Sequence, residues 1–319
     1  MERFRRKSTE RSLRGPALNM ILRFVCDRAC GNAVESEGLM AGRTYHVILT
    51  RFNVRRGAKA DPRVLSMEWL DARMKLFEEI TVPSVAAQTQ APDAWLVFFD
   101  EDTPQSMKVR FESLSARVPI LRAEYCRGLD VKVCVERIRK WAAPDAERLV
   151  TTRLDNDDAL NPRFIERVHE VLDTDAREFI NPTHGLIFAA GSLYRKRDYS
   201  SPFISLSEPM EGCRTVLVDE HQRLSRHGRI RQFDLKDAWI QVVHGGNLAN
   251  QVRGLRVSPV HVELGILPPG LRGSVEHLSF AELALDNSFG AVRRYTASLR
   301  RRVKRMWFDH KVPRAPARK

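Results

Sequence analysis

A chain of 319 residues, 43 % hydrophobic and 29 % charged, can bury a core of its own, which excludes a collagen, a coiled-coil rod and a wholly disordered chain. The formal net charge of +13 sits at the ends: residues 1–45 hold nine Lys/Arg against five Asp/Glu, residues 291–319 hold eleven against one, and residues 46–290 hold 33 against 34. A neutral middle with basic ends argues against nucleic acid as the partner and for an anionic membrane surface.

Residues 1–43 read as a basic extension, with Arg3, Arg5, Arg6, Lys7, Arg11 and Arg14 in a polar run. From residue 46 apolar strands alternate with amphipathic helices. His46–Thr50 is a buried strand, and Val64, Met67, Leu70, Met74, Phe77 and Ile80 place a helix over 63–80. Trp95–Phe99 is the next strand, Pro104–Val118 a helix, and 129–142 another, with Val131, Val135, Ile138 and Trp141 on one stripe. Arg148–Thr152 is a third strand, and Pro162 opens a helix reaching about Leu172. Leu186–Ala190, Thr215–Val218 and Trp239–Val243 complete the expected strands. The alternation predicts an α/β fold, a mostly parallel sheet flanked by helices in one catalytic domain over 44–290. Residues 291–319 form a basic amphipathic helix and tail: Val292, Tyr295, Leu299, Val303, Met306 and Trp307 recur at helical spacing among seven Lys/Arg.

Three strand ends carry polar clusters: Thr50-Arg51-Phe52-Asn53, Asp100-Glu101-Asp102 and Asp155-Asn156-Asp157-Asp158. In a parallel sheet all three fall on the carboxyl edge, where such folds bind ligands. Three carboxylates within four residues suit a hard cation, Mg²⁺ or Mn²⁺; the structural alternative is a solvated turn that caps the next helix. The chain has no G-x-x-x-x-G-K-[ST] loop, G-x-G-x-x-G fingerprint, H-E-x-x-H or G-x-S-x-G elbow. Five cysteines with no C-x-x-C pair fit a reducing cytoplasm, and the apolar run Ala17–Leu22 is too short to span a bilayer.

Over about 46–254 the chain resembles a bacterial family described as "putative rhamnosyltransferase", a branch of the A-type glycosyltransferase fold (GT-A). The resemblance lies in His46-Val-Ile-Leu-Thr-Arg-Phe-Asn-Val54, Trp69-Leu-x-x-Arg73, Pro83-Ser-Val-x-x-Gln-Thr89, Trp95-Leu-Val-Phe-Phe-Asp100, Thr151-Thr-Arg-Leu-Asp-Asn-Asp-Asp-Ala159 and Trp239-Ile-Gln-Val-Val-His-Gly-Gly-Asn247. It implies a nucleotide-sugar donor, with Thr50, Arg51 and Asn53 lining the nucleoside pocket and Asp100 accepting from the nucleobase. It implies that Asp155 faces the ribose or donor sugar, that Asp157 holds the metal on the diphosphate with Asp158 beside it, and that His244 completes the metal shell, with His221 and His184 as alternatives. Arg153 contacts the diphosphate or neutralises Asp155.

An inverting transfer needs a carboxylate base. Glu208 is the first candidate and Glu220 its rival. Trp69, on the apolar stripe, reads as core. The expected protein is a metal-dependent, inverting glycosyltransferase on the inner face of the cell membrane, with a glycan or lipid-linked acceptor. Its rivals are a nucleotide-sugar-binding adaptor and a metal-dependent nucleotidyltransferase or phosphohydrolase.

Overall fold

The computed structural model describes residues 43–55, 61–245, 252–262 and 264–288. The N-terminal extension, save Arg43, and the basic helix expected over 291–319 lie outside the described residues.

Twelve strands form two sheets among the described residues. The first runs in the order β10 (Ile230–Phe233), β6 (Glu178–Pro182), β9 (Ser205–Pro209), β4 (Ala146–Arg153), β1 (Arg43–Arg51), β2 (Ala94–Asp100), β3 (Leu121–Cys126). It is parallel except at β9, which runs antiparallel to both β4 and β6. This is the mostly parallel α/β sheet that the alternation predicts. Side chains on β1 and β2 alternate between its faces. Ile48, Trp95, Val97 and Phe99 join the core under helices α1 (Met67–Leu76), α3 (Gln105–Ser115) and α5 (Phe164–Val171). Val47, Leu49, Leu96 and Phe98 face the other way, toward α4 (Val131–Trp141).

Helix α1 starts at Ser66, whose hydroxyl accepts the Trp69 N–H. The chain then widens into a π-helical segment (Phe77–Thr81) and tightens again as α2 (Val82–Ala86), so the expected 63–80 helix runs six residues further. The Pro83–Thr89 segment has a structural use. Gln88 donates to the Ser84 and Asn161 carbonyls and accepts the Ile165 N–H, which ties α2 to α5.

The second sheet has the order β12 (Leu255–Val257), β8 (Ser192–Arg197), β7 (His184–Ala189), β11 (Trp239–Val243), β5 (Ala159–Leu160). Gly185 on β7 lies under the Trp239 indole, where a Cβ would stand 2.0 Å from the ring. Trp239 stacks on Phe203 and donates to the Pro182 carbonyl.

The expected strand at Thr215–Val218 is instead a single 3₁₀ turn, Val216–Val218, entered through Thr215 at φ +68°. Strands β3, β6, β8, β9, β10 and β12 were not legible as apolar runs; β9 carries two serines and a glutamate among its buried positions. Among the described residues no helix is long and apolar enough to cross a membrane.

Candidate active site

The register places the three polar clusters together. Thr50 lies opposite Val97, and Leu49 opposite Arg153, so the ends of β1, β2 and β4 share one edge. A cleft of about 850 Å³ opens there, a size that suits a small-molecule ligand. Arg51, Asn53, Arg153, Asp155 and Asp157 line it, as expected from the sequence.

The acidic cluster is the crossing between the two sheets. Residue 153 ends β4 in the first and residue 159 begins β5 in the second, so the carboxylates leave the crossing in different directions. Asp155 pairs with Arg153 at 3.2 Å. Burial works to raise its pKa, and Arg153 and Arg51 more than offset this, so it lies below the ordinary aspartate value. Asp157 meets Arg73 Nη1 at 2.5 Å and His244 Nε2 at 3.0 Å, both on Oδ2. Asn156 ties the crossing to β1 by donating to the Phe52 carbonyl.

Asp158 turns toward the second sheet. It is buried, and its Oδ1 accepts the Val242 N–H of β11 at 2.8 Å. Burial first, then the neighbouring Asp157 and Asp155, push its pKa well above the ordinary value.

Thr50 and Asp100 also leave the expected roles. The Thr50 hydroxyl accepts the Trp95 indole N–H inside the core. Asp100 is held by Arg55, which donates to both carboxylate oxygens at 2.8 Å. Burial tends to raise the Asp100 pKa, but these bonds prevail and lower it. Arg55 thus occupies the carboxylate meant for the nucleobase. Asn53 lines the cleft, but its amide also brackets the strand ends: it donates to Thr103 and accepts the Asp100 N–H.

Glu208 is displaced furthest. It sits opposite Leu149, about 13 Å back along β4 from Arg153 at ~3.3 Å per residue. It is fully buried and accepts the N–H groups of Arg214 and Thr215 at 3.0 and 2.7 Å, with Arg177 Nε 3.3 Å away. Burial raises its pKa. Its work is to fix the strained turn at Thr215. Glu208→Ala therefore lowers folding stability by about 1–3 kcal/mol, because two buried donors lose their acceptor. Equilibrium urea unfolding measures this, and an unchanged midpoint would contradict it.

Glu220, the rival, does line the cleft. Its carboxylate lies 3.8 Å from Arg51 and 3.5 Å from Arg153. The adjacent His221 lines it too, and burial, then the nearby Arg153, lower its pKa to about 4, leaving a neutral imidazole. His184 lies at the start of β7, paired with Asp234 at 3.2 Å and not among the lining residues. Trp69 belongs to the cleft as well as to the core edge, with the Arg73 guanidinium 5.2 Å from its ring centroid.

Lys196, Asp198, Ser200, Gln222, Gln241 and Arg253 also line the cleft and were not foreseen. Lys196 and Asp198 flank the end of β8, a strand whose polar second half gave no apolar run to find.

The donor set for a cation is one carboxylate oxygen and one imidazole nitrogen, from Asp157 and His244. Among the described residues no three Asp, Glu, His or Cys side chains converge on one point. A carboxylate and an imidazole, completed by substrate oxygens, suit a transition-metal ion such as Mn²⁺ better than the all-oxygen set of Mg²⁺. Arg73 sits on the same carboxylate oxygen.

S. aureus TarS 1–349, solved with UDP-GlcNAc, is similar at 16 % identity over 68 % of this chain and 62 % of that one, with a TM-score of 0.40. The present chain thus spans about three-fifths of that TarS chain. A longer S. aureus TarS structure matches at 12 % identity over 63 % of this chain and 37 % of that one, TM-score 0.36. The inositol-1-phosphate CTP transferase of T. maritima matches at 7 % identity over 63 % and 90 % of the two chains, TM-score 0.29. No curated protein matches. The family model described as "Putative rhamnosyl transferase" matches residues 48–256, a span that contains the cleft and both sheets save the start of β1 and the end of β12, and the chain belongs to that glycosyltransferase family.

Proposed function

We propose that this chain is a metal-dependent, inverting glycosyltransferase that moves a sugar, rhamnose by the family's description, from a nucleoside-diphosphate donor to a glycan or lipid-linked acceptor. One observation carries the reading. A single cleft at the carboxyl edge of the parallel strands gathers Arg51, Arg73 and Arg153 around Asp155, Asp157 and Glu220. A diphosphate brings negative charge that grows as the glycosidic bond breaks, and guanidinium groups in a partly desolvated cleft offset it.

Asp157 and His244 would hold a Mn²⁺ or Mg²⁺ ion, which when bound supplies Lewis-acid stabilisation to the leaving diphosphate. Arg51 and Arg153 bind the donor's phosphates, and Asp155 orients the donor sugar. Glu220 takes the proton of the acceptor hydroxyl as it attacks the anomeric carbon from the face opposite the leaving group. The basic segment 291–319 carries the enzyme to an anionic membrane surface on the cytoplasmic side.

The test is a thermal-shift panel of UDP, thymidine diphosphate and other nucleoside diphosphates, with and without Mn²⁺. The expected result is a Mn²⁺-dependent rise in melting temperature with one of them. No shift with any nucleotide would overturn the donor site and favour an adaptor.

A further inference from the structure

Arg73 lines the cleft, the reaction above leaves it without a defined role, and its position is specific. It lies on α1, outside the acidic crossing, and reaches across 84 residues of sequence to Asp157. Its Nη1 is 2.5 Å from Asp157 Oδ2, 3.4 Å from Asn156 Oδ1 and 3.4 Å from His244 Nε2. Both ends of the pair are well covered, with side-chain exposures of 12 % and 6 %. Trp69, one turn earlier on α1, backs the guanidinium plane. The group therefore stands at the point where Asp157 and His244 face each other.

We infer that Arg73 is the resident counter-ion of Asp157. It excludes a divalent cation from the Asp157–His244 pair until a donor diphosphate draws the guanidinium away. This rests on the cation assignment of the preceding section. The physical reason is that a guanidinium and a divalent cation cannot share one carboxylate oxygen without strong like-charge repulsion in a partly buried site. A diphosphate resolves the conflict. It offers the planar Arg73 guanidinium two phosphate oxygens for a bidentate pair and offers the metal further oxygen ligands. Cation and nucleotide then bind with positive coupling, each raising the other's affinity by the same factor. Arg73 thereby becomes a donor-phosphate ligand in the loaded enzyme, and the cleft holds no strongly bound free cation between turnovers.

The experiment is Mn²⁺ binding to the full-length protein without nucleotide, followed by electron paramagnetic resonance of free Mn²⁺. It compares wild type, Arg73→Met, Arg73→Lys and Asp157→Asn, and is then repeated with UDP or thymidine diphosphate. Arg73→Met is expected to bind Mn²⁺ about tenfold more tightly than wild type, with much of the nucleotide enhancement gone. Arg73→Lys keeps the charge and stays close to wild type. Loss of a merely structural contact would weaken the site, not tighten it. Unchanged or weaker Mn²⁺ binding in Arg73→Met, with binding abolished by Asp157→Asn, overturns the inference and leaves the cation site standing. Mn²⁺ binding that survives Asp157→Asn overturns the cation site itself, and the inference with it.

Discussion

Asp157→Asn is expected to lower sugar transfer about a thousandfold, the equivalent of ~4 kcal/mol of lost transition-state stabilisation, and to erase the metal dependence of nucleotide binding. The substitution keeps the shape of the side chain and can still accept from Arg73, so the local fold survives. What it removes is the charge at the only acidic oxygen that meets both Arg73 and His244 among the described residues. Without that charge the leaving diphosphate has guanidinium groups but no cation. The check is steady-state transfer together with calorimetric binding of the nucleoside diphosphate in Mn²⁺ and in chelator. Equal affinities for wild type and variant in Mn²⁺ would refute the assignment of Asp157. The neighbouring Asp158 serves as a contrast. It accepts the Val242 N–H that joins the crossing to β11, so its loss should appear in stability before it appears in metal affinity.

Glu220→Gln is expected to reduce kcat by about 10²- to 10⁴-fold, the usual contribution of a general base, with donor affinity little changed. Glutamine retains an acceptor for Arg51 and Arg153, so the cleft wall is preserved while the proton acceptor is lost. Burst and steady-state kinetics with a saturating donor separate the two effects. A variant with full activity would pass the role to Asp198, the next carboxylate along the same cleft. Glu208 is not a candidate in that event, because its carboxylate is enclosed beneath the Thr215 turn on the far part of β9.

Both expectations depend on a site that was half legible beforehand. The carboxyl-edge location could be read directly. His46–Thr50, Trp95–Phe99 and Arg148–Thr152 are apolar runs each followed by a polar cluster, and parallel strands must end such clusters on one side. Asp155, Asp157, Arg51 and Arg153 follow from that alone. The second sheet was less legible. Its β8 turns from Leu193 to a run of Arg and Lys, and in the first sheet the antiparallel β9 buries serines and Glu208, so neither shows the apolar continuity of a buried parallel strand. Lys196 and Asp198 were missed for that reason.

Trp69 shows the opposite failure. Helical spacing correctly put it beside buried Leu70 and Met74, but a residue at the border of an apolar stripe can serve both core and cleft. Thr50 and Asp100 fail for a third reason. A polar residue at a strand end can satisfy itself internally, and here Trp95 and Arg55 provide the partners.

The sequence by itself determined the α/β class and the edge at which the cleft opens, because strand periodicity and strand-end chemistry are local properties; the family came from the resemblance of its motifs. Tertiary structure alone decided which carboxylate does what. Asp155, Asp157 and Asp158 are nearly contiguous, yet one turns to Arg153, one to Arg73 and His244, and one to the backbone of β11. The Asp157 partners lie 84 and 87 residues away in opposite directions along the chain. No local pattern encodes such pairings. They arise because the acidic crossing leaves one sheet and enters another, so that each successive side chain meets a different wall.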